Sequence, residues 1–320
     1  MFMPGFAASR HEESSFAREV REHLSRTPQR ELPSHYFYDA VGTRLFEAIT
    51  ELQEYGLTRA DERLLRNHAV EITRAAGPPG VLAELGSGTG RKTRWILEAT
   101  RAIPYYPIDL SLAALQECRK ELGAIAPVEP LHSSYLEGLE SVAARRNGNG
   151  PLLVLFLGST IGNFKREAGC DFLCQLRRRL RPGDSLLLGA DMIKPVQSLL
   201  SAYDDPTGVT AAFNLNLLAR VNRELGGNFD LRRFRHEARW CERERRIEMH
   251  AVSLSRQRVS VSAIGLRFEI EKGESIWTES SHKYSIEDLD CLALSGGFAV
   301  RKRWIDPEWP FSETLMMVRP

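Results

Sequence analysis

The sequence predicts an α/β protein: a Rossmann-like, doubly wound sheet of seven strands carrying an inserted α+β lobe. Three observations predict it. An apolar run, Val81-Leu82-Ala83, ends in Glu84 and a glycine-rich turn, Gly86-Ser87-Gly88-Thr89-Gly90, before residues that open a helix. A strand feeding such a turn into a helix N-terminus is the ligand-facing corner of doubly wound folds. Strand-length apolar runs then alternate with helical stretches up to Gly189, stop alternating after Lys194, and resume at Ser285.

The elements follow in order. Residues 12–26 are charged and helix-prone, and Pro28 to Pro33 break the chain before the aromatic segment Tyr36-Phe37-Tyr38-Asp39. Thr58 is the expected N-cap of a helix reaching Ala75, with Asp61 and Glu62 in its first turn to suit the helix dipole. Strands are expected over 81–85, 105–110, 128–132, 152–157 and 185–189, the fourth apolar throughout and so buried on both faces. Helices are expected over 92–99, 111–122 (with Ser111 as cap) and 168–180. The insert reads as helices over 198–203 and 208–225, then strand-like alternation over 247–252 and 258–262. A helix over 286–294 and two apolar segments, 298–304 and 314–318, close the chain and bring the main sheet to seven strands.

Composition narrows the function. The chain has 320 residues, 42% hydrophobic and 27% charged, as in soluble globular proteins. A net charge of +1 gives no long-range pull toward nucleic acid or anionic membranes. No segment approaches the ~18–20 apolar residues of a membrane span, and Met1 to Arg10 lack the features of a secretory signal, so a cytoplasmic protein is expected. The five cysteines are scattered; Cys170 and Cys174 could share a helix face, yet no second pair stands at zinc spacing. Reduced thiols, no metal and a monomer are expected.

Several residues could carry chemistry. The G-x-G-x-G spacing suits a ligand without a pyrophosphate, such as S-adenosylmethionine, although such turns also serve as plain connections. Asp109, 23 residues after Gly86, could accept hydrogen bonds from ribose hydroxyls or cap the helix after Ser111. Ser134 and Tyr135 follow the third strand, where an adenine would stack, or where an aromatic could simply pack. Gly158-Ser159-Thr160-Ile161-Gly162-Asn163 follows the fourth strand and faces the ligand crevice; small loop residues explain its glycines but not Asn163. Arg177-Arg178-Arg179 reads as a solvated helix C-terminus, where cations are favourable. In the insert, Tyr203-Asp204-Asp205 and Asn214-x-Asn216 are dense in polar groups, with the aspartates as candidate helix caps. The run from Thr278 to Tyr284 is a second polar cluster, in which His282 reads as structural. No Ser/His/Asp set or thiolate motif competes.

Together these segments resemble one family: the histidine Nα-methyltransferases of ergothioneine biosynthesis, class I enzymes that use S-adenosylmethionine. The resemblance rests on Phe37-Tyr38-Asp39-Ala40-Val41-Gly42, Glu54-Tyr55, Thr58-Arg59, Glu84-Leu85-Gly86-Ser87-Gly88-Thr89, Lys92-Thr93 and Phe156 to Asn163. It continues through Leu187 to Asp191, Ala202-Tyr203-Asp204-Asp205, Gly208 to Asn214, Asn222 to Leu225, Arg246 to Met249 and Thr278-Glu279. It therefore runs almost the whole chain and into the insert. It implies a cofactor domain over 58–194 and 283–320, and a substrate-binding lobe over 1–57 and 195–282. Gly86, Ser87, Gly88, Lys92 and Asp109 would contact the cofactor, with Ser134 and Tyr135 at the adenine. Asn163 and Tyr203 would clamp the carboxylate of free L-histidine, with Tyr38 close to the reacting amine. Tyr55, Met249, Glu279 and Ser281 would form the imidazole pocket.

Two departures qualify the resemblance: Ser134-Tyr135 stands where the family often has Asp-Phe, and His282 is an extra polar residue near the pocket. The implied reaction is methyl transfer to the α-nitrogen, up to the trimethylated betaine hercynine. Other readings stay open on sequence alone: an N-methyltransferase for another amino acid or a modified histidine, or a non-catalytic sensor binding both ligands. An RNA methyltransferase finds little support in the near-neutral charge.

Overall fold

The computed structural model describes residues 14–100, 103–146, 148 and 150–318. Residues 12 and 13, placed in the first helix by sequence, and the leading segment read for a secretory signal lie outside the described residues. Helix α1 (Ser15–Leu24) is capped by Ser14, whose side chain accepts from the Ala17 N–H at 3.2 Å. Where the prolines predict only a break, a short strand β1 (Arg30–Glu31) forms. Helix α2 (Ala40–Glu51) is capped by Asp39 through the Gly42 N–H at 2.7 Å.

Helix α3 (Gly56–Ala75) starts two residues before Thr58 and has no acidic residue in its first turn. Asp61 does not serve the dipole as expected: it is wholly buried and turns toward the main sheet. The expected cap and dipole pattern fails because tertiary pairing, described below, outweighs the local preference.

Then follow β2 (Val81–Leu85), α4 (Arg94–Ala99), β3 (Tyr105–Asp109), α5 (Leu112–Leu122) and β4 (Leu131–His132). Ser111 caps α5 as expected, accepting from the Ala114 N–H at 3.3 Å. Helix α6 (Tyr135–Arg145) occupies a stretch the sequence reading left without an element, so Ser134 and Tyr135 stand at a helix start and not in a loop. After it come β5 (Leu152–Phe156), α7 (Arg166–Arg177) and β6 (Ser185–Asp191). The insert contributes α8 (Val196–Tyr203), α9 (Val209–Leu225), β7 (Phe234–Cys241), β8 (Arg246–Ser253), β9 (Gln257–Val261), β10 (Leu266–Ile270) and β11 (Ser275–His282). Helix α10 (Ile286–Ser295), β12 (Phe298–Ile305) and β13 (Phe311–Val318) complete the chain.

The main sheet has seven strands in the order β12-β13-β6-β5-β2-β3-β4. Only β13 runs antiparallel to its neighbours; the other pairs are parallel. The strand order reverses between β2 and β5, which opens a crevice at their carboxyl ends, beside Gly86 and Gly158. On one face of the sheet an apolar layer (Leu85, Ile108, Leu139, Phe172, Leu173) packs under α6 and α7. On the other face the layer (Ile72, Leu82, Leu155, Leu187) runs without a break into Phe213, Leu217, Met249 and Ile276 of the insert. Domain and lobe thus share one core.

The lobe is a second sheet in the order β1-β11-β8-β7, with α8 and α9 against one face. Its register holds the decisive irregularity. Trp277 pairs with His250, but Glu279 pairs with Met249, so Thr278 is an extra residue in β11. Such a bulge swaps which alternate side chains point inward. Before it, Ile276 is buried in the core; after it, Glu279 and Ser281 share the inner face with Met249 and Ile247.

Candidate active site

The crevice side is made largely of backbone. Gly86 and Gly88 have φ of 74° and 53°, a left-handed conformation that favours glycine. At Gly86 a Cβ would stand 3.1 Å from the Tyr135 hydroxyl, whereas at Gly88 it would meet open space. Asp109 holds the turn in place: its Oδ2 accepts from the Gly88 N–H at 2.9 Å and its Oδ1 from the Ser111 N–H at 2.8 Å. The carboxylate therefore braces the turn into α5 while standing beside the glycine turn, but the N-cap of α5 is Ser111 and not Asp109.

Tyr135 packs edge-on against Phe156 and Phe172, and burial pushes its hydroxyl up to about 12. The Ser134 hydroxyl, exposed, donates to Glu137 at 2.6 Å. Ser87 is buried within the turn.

Beneath the turn lies a buried polar cluster. The Lys92 ammonium pairs with Asp61 of α3, and Asp61 Oδ2 also accepts from the Gly158 N–H at 3.0 Å. One carboxylate so ties α3, the glycine turn and the end of β5 together. Glu84 accepts from the hydroxyls of Thr93 and Tyr105, and burial raises its carboxyl to about 7.

The lobe side is made of side chains from separate segments. Tyr203 ends α8; its hydroxyl lies 2.7 Å from Ser281 Oγ, and its ring meets Tyr55 edge-on at 6.0 Å. Lys283, fully buried, donates to both hydroxyls, at 2.9 Å to Tyr203 and 2.8 Å to Ser281. It also stands 2.9 Å from Asp191 Oδ2 at the end of β6. Asp191 pairs in addition with Lys194 and accepts from Trp309 Nε1 at 3.0 Å. Burial alone would raise Asp191, but Lys283 and Lys194 together hold it below its ordinary value.

Glu279 is raised to about 7 by burial, against a lowering influence from Lys283. Tyr38 is raised well above 10, by burial first and then by the charge of Glu279 and the hydroxyls of Tyr55, Tyr135 and Tyr203. These groups therefore stand within electrostatic reach of one another. Tyr135, which touches Gly86, joins the two sides of the site.

Other contacts hold these residues in place. Asp39, next to Tyr38, accepts from Asn216 Nδ2 at 2.9 Å and pairs with Arg223, both on α9. Tyr38 itself rests edge-on against Phe46 and Phe213. A buried hydrogen-bond chain reaches from the bulge to Tyr203. Thr278 Oγ1 stands 2.6 Å from Asn214 Oδ1 and 2.9 Å from the Met249 carbonyl, and shares its one hydrogen between them. Asn214 Nδ2 donates to His236 Nδ1 at 2.8 Å, and His236 Nε2–H donates to the Tyr203 carbonyl at 2.7 Å. Asp205 caps α9, accepting from the N–H groups of Val209 and Thr210.

Asn163 closes a 3-10 turn, Thr160–Asn163, after Ser159 at φ 58°. The turn is latched to β11 by His282, whose Nδ1–H donates to the Gly162 carbonyl at 2.9 Å. Burial pushes His282 down to about 4, so the ring is neutral at pH 7 and serves as a structural latch.

Sequence reasoning named the groups on both sides and placed Thr278 and Lys283 in a polar cluster without giving either a role, but missed Lys194 and the framework role of Asn214 and Asp61. A lysine one residue before Tyr284 carries no motif of its own; only its burial reveals it. Among the described residues no group of side chains could hold a metal ion, and no helix is long and apolar enough to cross a membrane. Neutral phenols, one carboxyl poised near pH 7 and a lysine-braced hydroxyl pair can together orient a small zwitterion. A glycine turn with an adjacent carboxylate fits a nucleoside-bearing ligand.

Comparison with known proteins bears on this arrangement. A family model described as histidine-specific methyltransferase, SAM-dependent, matches residues 16–318. A histidine N-alpha-methyltransferase of Mycolicibacterium smegmatis is 41% identical over 305 residues, covering 93% of each chain. Ergothioneine biosynthesis protein 1 of Neurospora crassa is 31% identical over 78% of this chain and 31% of its own length. An L-tryptophan methyltransferase of Psilocybe serbica is 27% identical, over 90% of this chain and 88% of that one.

Proposed function

This chain belongs to the histidine-specific, S-adenosylmethionine-dependent methyltransferases, and we propose that it methylates the α-nitrogen of free L-histidine, three times, to give hercynine for ergothioneine biosynthesis. We further propose that it acts as a cytoplasmic monomer. Residues 58–194 and 283–320 would hold the cofactor, and 1–57 and 195–282 the amino acid. The observation that carries this reading is the convergence of Tyr38, Tyr55, Tyr203 and Glu279, joined through Tyr135 to the glycine turn at Gly86.

The residues present fit the cofactor: Gly88 faces open space beside the Asp109 carboxylate, at the switch point of the sheet. Gly86, Ser87, Gly88 and Asp109 would hold it, with Tyr135 behind the turn and Ser134 at the adenine edge. Lys92 would act from beneath, through its pair with Asp61. When bound, S-adenosylmethionine supplies a sulfonium methyl group, already attached to a good leaving group.

The protein's work is then positioning and protonation state. Asn163 and Tyr203 hold the substrate carboxylate. Glu279 accepts a ring N–H, Ser281 serves the other ring nitrogen, and Met249 and Tyr55 wall the pocket. An α-amine, with a pKa of about 8 in peptides and higher in a free amino acid, must shed a proton before it can attack. Burial keeps the Tyr38, Tyr55 and Tyr203 hydroxyls protonated at neutral pH. None is a phenolate base, so Tyr38 orients the amine, whose proton leaves to solvent water.

The test is mass spectrometry of histidine incubated with the protein and S-adenosylmethionine, beside a panel of free amino acids that includes tryptophan. Products with one, two and three added methyl groups on histidine are expected. Methylation of another amino acid in preference, or binding of both ligands without release of S-adenosylhomocysteine, would refute the proposal.

A further inference from the structure

Glu313 lies in the middle of β13, opposite Gly189 of β6, and is wholly buried. At Gly189 a Cβ would stand 2.8 Å from Glu313 Oε1, so the carboxyl packs close against the strand backbone. It reaches hydrogen-bonding range of Asp61 on α3, which is also wholly buried. Asp61 Oδ2 is already taken, by the Lys92 ammonium and the Gly158 N–H. Among the described residues, no N–H or O–H of another group serves Asp61 Oδ1 or either oxygen of Glu313. Two ionised carboxylates do not persist side by side away from water, and one proton held between them gives each a hydrogen-bond partner.

Lys92 and Gly158 both donate to Asp61, which marks Asp61 as the acceptor and Glu313 as the holder of the proton. The charged groups around the pair are Lys92, beyond the glycine turn, and Glu84 on β2, itself held by Thr93 and Tyr105. Burial first, and then the charge of Asp61, keep the proton on Glu313. At Gly158, whose φ of 68° favours glycine, a Cβ would stand 3.4 Å from the Lys92 ammonium. The cluster therefore fills the floor of the crevice between the ends of β2 and β5.

Resting on the cofactor side of the proposed function, we propose that Glu313 is a positioning residue for S-adenosylmethionine. As a neutral acid it donates to Asp61 Oδ1 and so fixes the carboxylate that joins Lys92 to the end of β5. Asp61 bridges the two sides of the crevice, because Lys92 follows the glycine turn and Gly158 follows β5. Its orientation sets how Gly86 and Gly158 stand to each other, and Glu313 sets that orientation.

Infrared spectroscopy tests the proton. At a pH of about 8.5, Glu84 and Glu279, both raised to about 7, are largely ionised, and a surviving carboxylic-acid carbonyl band reports the pair. The band is expected in the wild type and should vanish in Glu313→Gln, whose amide N–H replaces the acid O–H. Its absence from the wild type, or its survival in Glu313→Gln, overturns the proposal.

Calorimetry with S-adenosylhomocysteine tests the positioning. Glu313→Gln, still a neutral donor, should bind within about twofold of wild type, whereas Glu313→Met, which leaves Asp61 Oδ1 without a donor, should bind about tenfold more weakly. A role in packing alone would be served as well by Met, so wild-type affinity in a folded Glu313→Met protein overturns the proposal. Weakened binding in Glu313→Gln overturns it too, and decides the matter alone should Glu313→Met not fold. A wild type that binds no S-adenosylhomocysteine ends the cofactor reading as well, whereas normal binding in every variant ends this proposal only.

Discussion

The glycine turn after β2 offers the proposed cofactor backbone, whereas the inner face of β11 offers the proposed substrate side chains drawn from the segments ahead of α2 and α3, the end of α8 and β11 itself. The backbone side needs a conformation, and the φ of 74° at Gly86 is sustained by strand, turn and helix in immediate succession. The side-chain side needs a meeting of distant residues. It depends on an extra residue at Thr278, a buried hydrogen-bond chain through Asn214 and His236, and a lysine at the centre of two hydroxyls. A site made by local geometry tolerates changes far away; a site made by convergence does not.

The sharpest way to break the contrast is Glu279→Ala. It deletes the ring acceptor and nothing on the glycine turn. Histidine kcat/KM is expected to fall by about 10²–10³-fold, with S-adenosylmethionine Kd within about twofold of wild type, as follows when buried partners are left unpaired at roughly 1–3 kcal/mol each. Near-normal histidine turnover by that variant removes the role assigned to Glu279. The converse change, Asp109→Ala, frees the Gly88 and Ser111 N–H groups. It should weaken cofactor binding by about 10-fold or more while histidine Kd at saturating cofactor holds, a pair of titrations that calorimetry provides.

The contrast also shows what the sequence could tell. Strand β2 was readable to the residue because a buried strand, a glycine turn and a helix make one contiguous pattern. So were Ser111 as a cap and the seven-strand count. The Thr58 cap and the dipole role of Asp61 were misread because Asp61 is claimed by Lys92 across the fold, a pairing 31 residues apart that no local rule reveals. Helix α6 was passed over because its register is set by packing on Ile108 and Phe156 rather than by a strong start signal. Glu279 and Ser281 came from resemblance, not from periodicity. With alternation alone, the buried Ile276 would put Ser280 and His282 inside, and only the bulge reverses that.

Thr278→Val tests this point with a smaller effect. It keeps the shape and removes the hydroxyl held between Asn214 and the Met249 carbonyl. Stability should fall by about 1–2 kcal/mol and histidine KM rise several-fold, with cofactor Kd unchanged; denaturant melts and steady-state kinetics read both. The smallest expected effect is in pH. The Glu279 carboxyl, raised to about 7 by burial, must be ionised to accept a ring N–H. Histidine kcat/KM should therefore decline as pH falls through about 7, and cofactor Kd should not follow it. In Glu279→Gln that limb should move toward the imidazole's own value of about 6.5. A limb that stays at 7 in this variant assigns it to another group.

Strand β1 gives the lobe a particular history. Arg30 and Glu31 lie alongside Ile276 and Trp277, so residues emerging early from the ribosome must wait for residues emerging late. Closing so long a stretch of chain is entropically slow, and β11 offers an open edge until it happens. The lobe sheet thus cannot be completed before β11 has been made, and a chain shortened at its start would be expected to lose the proposed amino-acid side of the site before it loses the glycine turn.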